Sequence, residues 1–157
     1  ALFGYAVERG WQTRSGATGV HMVDHEMENY DQVNLTIQFE NNHTMIIAGS
    51  TANEVGLETM IHGHKANIYL NSRHCQVRPE RIFVDDIDEQ RIECPDIGND
   101  QDQLRLNWLE SIRSRKPAKS NIDLASKVLV AVDLATRSMW EGHAFTFDPS
   151  TMRASRA

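Results

Sequence analysis

The strongest constraint on the fold is a run of strict alternation that leads into a turn. Apolar residues occupy every second position from Val33 to Phe39, with polar residues between them. This period of two is typical of a half-buried strand. The following segment, ENNHT (40–44), offers Asn residues that tolerate the backbone of a tight turn, and an apolar run (45–48) comes next. We therefore predict an antiparallel hairpin with one buried face.

Other strands are predicted on both sides of this hairpin. Aromatic and apolar content favours a strand at residues 2–9, and the small and polar residues 10–19 favour a loop. Further strand patterns lie at residues 55–63, 65–70, 75–79, 81–84, 90–94 and 143–147. Successive strands with such short connections indicate a largely antiparallel sheet.

The hydrophobic period changes to that of helices after Pro95. Asp100 is a candidate cap for a first helix that carries an apolar stripe and cannot continue past Pro117. Ser120 and Asp123 resemble a capping box for a second helix, which Gly142 ends. The two stripes are Leu104, Trp108, Leu109 and Ile112 in the first helix, and Leu124, Val128, Val132, Ala135 and Met139 in the second.

These elements predict an α+β fold for residues 1–157 as a single domain, with a largely antiparallel open sheet and helices packed on one face. The other face of that sheet must contact water, another domain or another subunit. We expect it to be apolar enough to make a homo-oligomer interface.

Composition excludes several classes of protein. With 16 basic and 22 acidic residues the net charge is -6, which argues against a nucleic-acid surface. The basic residues near Pro117 are interpreted as a helix end, where cations oppose the dipole. Mean hydropathy is -0.48 and no apolar run approaches the roughly 18 residues of a membrane span, so a soluble chain without a membrane partner is predicted. The start, ALFGY, lacks an initiator Met and a leader pattern, which suggests an excised domain and favours a cytoplasmic over an exported location.

No residue pattern identifies a catalytic or metal centre. His21 and His25 have the spacing of metal ligands on a helix, as do His62 and His64 on a strand, but solvated loop or surface positions are favoured for all four. Cys75 and Cys94 lack a metal-binding spacing, and two free thiols are favoured over one bridge. Trp11, in the predicted loop, could stack on a ligand or pack internally.

Several segments, taken in order, resemble the C-terminal domain of the Gfo/Idh/MocA family of NAD(P)-dependent oxidoreductases. The family typically has a strand ending in Phe-Glu-Asn-Gly, a Glu-x-x-Gly-x-x-Gly strand, a helix ending in Ile-Arg-x-Gly-x-x-Pro, and a late strand ending in Asp-Pro. The matching segments are YDQVNLTIQFENNHT (30–44), LETMIHGHKANIYL (57–70), LNWLESIRSRKPAKSNIDLASKVLVAVDLATRSMWEG (106–142) and FTFDPSTM (145–152). Asn42, Ala66 and Arg115 stand where the family usually has Gly.

The resemblance implies a parent enzyme that transfers hydride between NAD or NADP and a sugar or polyol. Such enzymes pair this domain, which contributes substrate pocket and oligomer interface, with an N-terminal Rossmann domain that binds the cofactor. The family's nucleotide fingerprint, Glu-Lys-Pro and Asp-x-x-x-His motifs have no counterpart here. We therefore expect the isolated chain to be inactive, to bind no cofactor or metal alone and to contain no catalytic residue.

In similar proteins the segment before the Glu-x-x-Gly strand faces the sugar. Here that segment offers hydroxyl, amide and carboxylate groups, which suit a polyhydroxylated ligand. The predicted substrate-binding residues are Ser50, Thr51, Asn53 and Glu54. An ordinary connecting loop is the structural alternative for the segment. A stand-alone, non-catalytic binding module that uses the open sheet face is the alternative function for the chain.

Overall fold

The computed structural model describes residues 2–157, with side chains from Tyr5 onward. The chain divides into two compact units. The first unit contains the described residues up to Gly56 together with Lys116–Ala157, and the second contains Leu57–Arg115.

The first unit contains two helices and five strands. They are α1 (Leu2–Glu8), β1 (Gln12–Val20), β2 (Gln32–Phe39), β3 (Thr44–Ser50), α3 (Ile122–Glu141), β8 (Phe145–Asp148) and β9 (Arg153–Arg156). The second unit contains β4 (Met60–His62), β5 (Ala66–Leu70), β6 (His74–Pro79), a 3-10 turn (Arg81–Phe83), β7 (Gln90–Glu93) and α2 (Asp100–Ser114). All described strand pairs are antiparallel.

The sheet of the first unit has the strand order β3-β2-β1-β8-β9. Its β2–β3 hairpin confirms the strongest prediction from the sequence. The turn is closed by a hydrogen bond of 3.0 Å from the Phe39 amide to the His43 carbonyl, and Asn42 has a φ of 56°. The left-handed backbone expected at Asn42 is therefore present.

The face of this sheet toward α3 forms the core of the first unit. Leu35, Ile37 and Phe39 of β2 are buried there, and Ala131 of α3 joins the same cluster. Burying a side chain such as that of Ile37 contributes about 1.5–3 kcal/mol to folding. A second cluster joins Leu134 of α3 to two aromatic residues of β8, Phe145 and Phe147.

β1 is the central strand, and small residues line its side toward α3. Ser15, Ala17 and Gly19 lie opposite Ile37, Leu35 and Val33 of β2, which places all three on the covered face. A Cβ atom on Gly19 would overlap the Tyr30 ring and lie 2.8 Å from Met139 Sδ. The small side chains thus permit a close approach of the helix.

A buried serine completes the hydrogen bonding of β1 where its second ladder stops. β8 pairs with β1 only at Arg14 and Ser15. Beyond that point the Ala17 amide donates to Ser138 Oγ at 2.8 Å, and Ser138 is 2% exposed. Because an unpaired buried amide would be costly, this contact from α3 compensates for the missing strand partner.

The open face of the same sheet is mainly polar. Asn34, Thr36 and Gln38 of β2 are exposed on this face. Its large apolar exceptions are Ile46 of β3, which lies opposite Thr36 and is 72% exposed, and Val20 of β1, which lies opposite Gln32 and is 53% exposed. The face is open as expected, but it carries amide and hydroxyl groups rather than the apolar surface that the sequence suggested.

The second unit contains a separate sheet, with the order β4-β5-β6-β7. Its β5–β6 ladder has the longest register of the unit, from Ala66 opposite Pro79 to Leu70 opposite Cys75. The described residues of β7 are all exposed. α2 begins after the cap residue Asn99, and its Trp108 is 60% exposed, so the predicted packing of the α2 stripe is not seen within this unit.

Helices α2 and α3 both end at a residue with a left-handed backbone. α3 is capped by Asn121, whose side chain accepts a hydrogen bond from the Leu124 amide, and it ends at Gly142 with φ 71°. α2 ends at Arg115 with φ 55°. Arg115 therefore adopts the left-handed conformation where the family usually has Gly, at a cost of about 1–2 kcal/mol. The cap of α2 is Asn99, one residue before the predicted Asp100. The cap of α3 is Asn121, one residue after the predicted Ser120.

Three predicted elements are wrong. Residues 2–9 form helix α1 rather than a strand, because Ala6 and Val7 are both buried and the burial does not alternate. Residues 10–19 are largely strand β1 rather than loop, because neighbouring strands supply the pairing that their composition does not favour. Residues 81–84 contain a 3-10 turn in place of a strand.

The α+β fold class is confirmed. The sheets are open and antiparallel, as predicted, and the structure distributes the strands between two of them. In the first unit, α3 packs on one face of the sheet, also as predicted. Strand β9, which pairs with β8 from Arg153 to Arg156, was not anticipated.

Gly19 provides a direct test of the close contact between β1 and α3. We expect Gly19→Ala to lower the free energy of unfolding by about 1–3 kcal/mol, because the added methyl group displaces Tyr30 and Met139. Gly16→Ala, on the same strand, is the matched control: its Cβ would lie 3.8 Å from Ala144 Cβ. Urea denaturation of both variants checks the prediction, and equal stabilities would contradict it.

Candidate functional site

The candidate site lies in the first unit, where the β1–β2 loop (21–31) meets the end of β3. Asp31, the last residue of the loop, makes the connection. Its backbone carbonyl accepts hydrogen bonds from the Thr51 amide at 2.8 Å and from Thr51 Oγ1 at 3.3 Å. The polar segment after β3 is thus attached to the start of β2.

The side chain of Asp31 organises the other half of this end. Its carboxylate accepts hydrogen bonds from the amides of Met22, Val23 and Asp24, at 2.7, 2.6 and 3.0 Å. Asp31 is 3% exposed. These three amides hold its pKa at about 2, below the ordinary 3.8, since each of them stabilises the ionised form. Asp31 was not selected from the sequence.

The histidines of this loop do not converge on a common centre. His21 Nδ1 donates to the Asp24 carbonyl at 3.0 Å, and its ring lies 4.8 Å from that of Tyr30. The His21 and His25 rings are 6.5 Å apart on an irregular loop, so the helical spacing considered from the sequence does not apply.

The histidines of the second unit lie apart from one another. His62 contacts Asn67 Oδ1 at 3.1 Å, His64 packs edge-on against Phe83, and His74 pairs with Arg91. Within residues 2–157 no three His, Cys, Asp or Glu side chains form a group that could hold a metal ion.

Trp11 is a packing residue. Its ring stacks on Phe147 with centroids 5.5 Å apart, and Lys127 Nζ lies 5.6 Å from the ring centroid. Trp11 packs against the second core cluster. The ligand-stacking role considered from the sequence is therefore replaced by internal packing at the start of β1.

The four predicted substrate residues are all exposed: Ser50 is the last residue of β3, and Thr51, Asn53 and Glu54 follow it. Three of them already form local hydrogen bonds: Ser50 Oγ accepts from the Ala52 amide at 3.1 Å, Thr51 Oγ1 donates to Asp31, and Asn53 Oδ1 accepts from the Val55 amide at 2.8 Å. These contacts fix the backbone of the segment. The Asn53 amide nitrogen and the Glu54 carboxylate take no part in these local contacts.

The geometry supports hydrogen bonding to a polar ligand. A carboxylate, an amide and two hydroxyl groups on a segment fixed by Asp31 can bind several hydroxyl groups of one molecule. The segment contains no histidine or lysine that could serve as a proton-transfer group.

No helix within residues 2–157 is long and apolar enough to span a membrane.

Comparison with protein families gives one match. A model described as oxidoreductase family, C-terminal alpha/beta domain, matches residues 2–147. No curated protein matches the chain.

Solved structures show the same fold. UDP-N-acetylglucosamine 3-dehydrogenase from Acidithiobacillus ferrooxidans has a TM-score of 0.71 at 10% identity, covering 88% of this chain and 44% of that protein. Aldose-aldose oxidoreductase from Caulobacter crescentus, complexed with glycerol, has a TM-score of 0.69 at 14% identity, covering 93% of this chain and 45% of that protein. An oxidoreductase from Agrobacterium radiobacter in complex with NAD+, L-tartaric acid and magnesium has a TM-score of 0.61 at 14% identity, covering 86% of this chain and 43% of that protein. The chain spans less than half the length of each protein, and at these identities the likeness concerns the fold.

Replacing Asp31 tests whether it organises this end of the sheet. We expect Asp31→Asn to lower the melting temperature at pH 7 by several degrees, because the amide loses the charge that the three backbone amides bind. Thermal denaturation monitored by circular dichroism checks this. Glu26→Gln, at an exposed position of the same loop, is the control.

The same carboxylate predicts a pH dependence. Since the folded pKa of Asp31 is lowered from 3.8 to about 2, its contribution to stability is present above pH 3.8 and is lost as pH falls toward 2. We expect Asp31→Asn to flatten the decline in unfolding free energy over this interval. An identical decline in wild type and variant would contradict the role assigned to Asp31.

Proposed function

The chain belongs to the Gfo/Idh/MocA oxidoreductase family, and from this premise we propose that it is the substrate-side domain of an enzyme that transfers hydride between NAD or NADP and a sugar or polyol. The family match over residues 2–147 carries the proposal and confirms the resemblance inferred from the sequence. In this proposal residues 1–157 form the C-terminal domain, and a Rossmann domain of the same protein binds the nicotinamide cofactor.

The names of similar structures support the choice of substrate class. One is a dehydrogenase of a nucleotide sugar, another is an aldose-aldose oxidoreductase complexed with glycerol, and a third is complexed with NAD+. A sugar or polyol is also the ligand that the hydrogen-bonding groups at the end of β3 suit best. These groups are Ser50, Thr51, Asn53 and Glu54.

In the proposed enzyme this domain positions the ligand and the Rossmann domain supplies the nicotinamide. Hydride transfer from a carbinol carbon requires a nicotinamide ring at the reacting carbon and a group that removes the hydroxyl proton. The β3 segment supplies ligand positioning, which lowers the entropy cost of bringing the two reactants together. Asp31 is a positioning residue in this scheme, since it acts through the Thr51 backbone and not on the ligand.

Comparing the isolated chain with its full-length parent tests this division. We expect residues 1–157 alone to show no turnover of NAD or NADP with sugar and polyol substrates, and the full-length protein to show it. Dehydrogenase activity in the isolated chain, followed by nicotinamide absorbance, would refute the assignment.

Glu54 gives the cleanest test of the ligand segment, because the other three candidates also hold the loop together. In the full-length protein we expect Glu54→Gln to raise KM for the sugar or polyol roughly tenfold with little change in kcat, since a charged hydrogen bond to a ligand hydroxyl is lost. KM for the cofactor should stay constant. Glu58→Gln, four residues along the chain, is the matched control, and equal effects of both variants would count against the proposal.

The open face of the first sheet is proposed as a homo-oligomer interface. One face of the sheet is covered by α3, and the other presents polar groups around the exposed Ile46. We expect sedimentation velocity of the full-length protein to show an oligomer at micromolar concentration that Ile46→Glu dissociates. Ile122→Glu, at an equally exposed position of α3, should leave it intact. A wild-type monomer at high micromolar concentration would contradict the interface.

A further inference from the structure

The second unit brings its two cysteines together. Cys75 lies in β6 and Cys94 directly follows β7, 19 residues later in the chain. Their sulfur atoms are 3.9 Å apart, and both thiols are free. The sequence offered no reason to pair them, because their spacing fits no short motif. The β6–β7 ladder creates the contact.

The register defines the geometry of the pair. Cys75 lies opposite Ile92 in the ladder, and the Cys94 amide donates to the Arg73 carbonyl at 2.8 Å, which continues the pairing by one step. The two cysteines are therefore diagonal neighbours on one face of the sheet.

A disulfide requires the sulfur atoms to approach to about 2.05 Å, so they must move together by about 2 Å. Cys94 is better placed for this movement than Cys75, because its hydrogen bond to the Arg73 carbonyl is the last one of the ladder. It lies beyond the last residue of β7, at the end of the ladder, and β7 is an exposed edge strand. Bridge formation requires rotation about the side-chain bonds and a small shift of the strand end.

We propose that Cys75 and Cys94 are a redox-sensitive dithiol that forms a reversible disulfide by exchange with a small-molecule disulfide such as oxidised glutathione.

The exposures of the two thiols set the order of the reaction. Cys94 is exposed, whereas Cys75 is half-buried. Burial and the neighbouring Cys94 thiol raise the pKa of Cys75, which makes it the poorer initial nucleophile. Cys94 therefore attacks the incoming disulfide, and Cys75 completes the exchange.

The exchange is balanced in two steps. The Cys94 thiolate attacks one sulfur of oxidised glutathione, the glutathione S–S bond breaks, and one glutathione thiolate leaves. The Cys75 thiolate then attacks the Cys94 sulfur and releases the second glutathione. The protein loses two thiol hydrogens and gains one S–S bond, and glutathione disulfide is reduced to two thiols. An excess of reduced glutathione reverses both steps.

The bridge would fix an otherwise weakly held strand. β7 pairs with β6 at one edge of the sheet, and its residues are exposed. Joining Cys94 to Cys75 closes the segment between them, which includes the 3-10 turn and the largely acidic stretch DDIDE (85–89). Oxidation should therefore reduce local opening of the β6–β7 hairpin.

Treatment of the purified protein with oxidised glutathione tests the proposal. We expect non-reducing peptide mapping to recover the Cys75 and Cys94 peptides as one cross-linked species, and reduced glutathione to separate them. Cys75→Ser should instead accumulate a stable glutathione adduct on Cys94, because the resolving thiol is missing. Cys94→Ser should react with oxidised glutathione much more slowly than the wild type or Cys75→Ser.

Hydrogen exchange provides an independent measurement that does not depend on the variants. Amides of residues 90–93 should exchange several-fold more slowly in the oxidised than in the reduced protein. A lasting glutathione adduct on Cys94 of the wild type, or a disulfide between two molecules in place of the internal bridge, would overturn the proposal. So would an internal bridge that leaves exchange in β7 unchanged.

Discussion

The first unit depends on the close packing of α3 against β1. Ser15, Ala17 and Gly19 occupy the covered side of β1 at alternate positions, and none has a side chain longer than one heavy atom beyond Cβ. The helix can therefore approach the central strand closely enough for Ser138 to satisfy the Ala17 amide. A larger residue on β1 would separate the helix from the sheet and leave that partly buried amide without its partner.

The same constraint explains what the sequence could and could not predict. β2 and β3 were recognisable because large apolar residues such as Ile37 alternate with polar ones, and because Asn42 suits the turn between them. β1 was mistaken for a loop because its inward residues are small, so the alternation that signals a half-buried strand is absent. α1 was mistaken for a strand because its composition favours β structure, whereas burial of the adjacent residues Ala6 and Val7 favours the helix.

The candidate site shows the same limit more sharply. The segment 50–54 was selected through the family resemblance and its polar groups, and the structure shows its four polar residues exposed at the end of β3. Asp31 could not be selected in this way. Its importance arises from amides seven to nine residues earlier in the chain, which fold back onto its carboxylate only in the native loop. Sequence patterns report periodicity and chemistry, whereas such a contact is defined by tertiary structure.

Asp31 also links the two halves of the site in a way that favours preorganisation. Its carboxylate fixes residues 22–24, and its carbonyl fixes Thr51, so one residue determines the position of the loop and of the polar segment. The carboxylate is ionised throughout the neutral range, and the lowered pKa extends this ionised state into more acidic solution. In the proposed function, a ligand bound by the segment would meet groups whose backbone is already held by these hydrogen bonds, and less of the binding free energy would be lost in ordering it. The hydrogen bonds of Asp31 are thus a property of the fold, on which the proposed ligand specificity of the exposed side chains would depend.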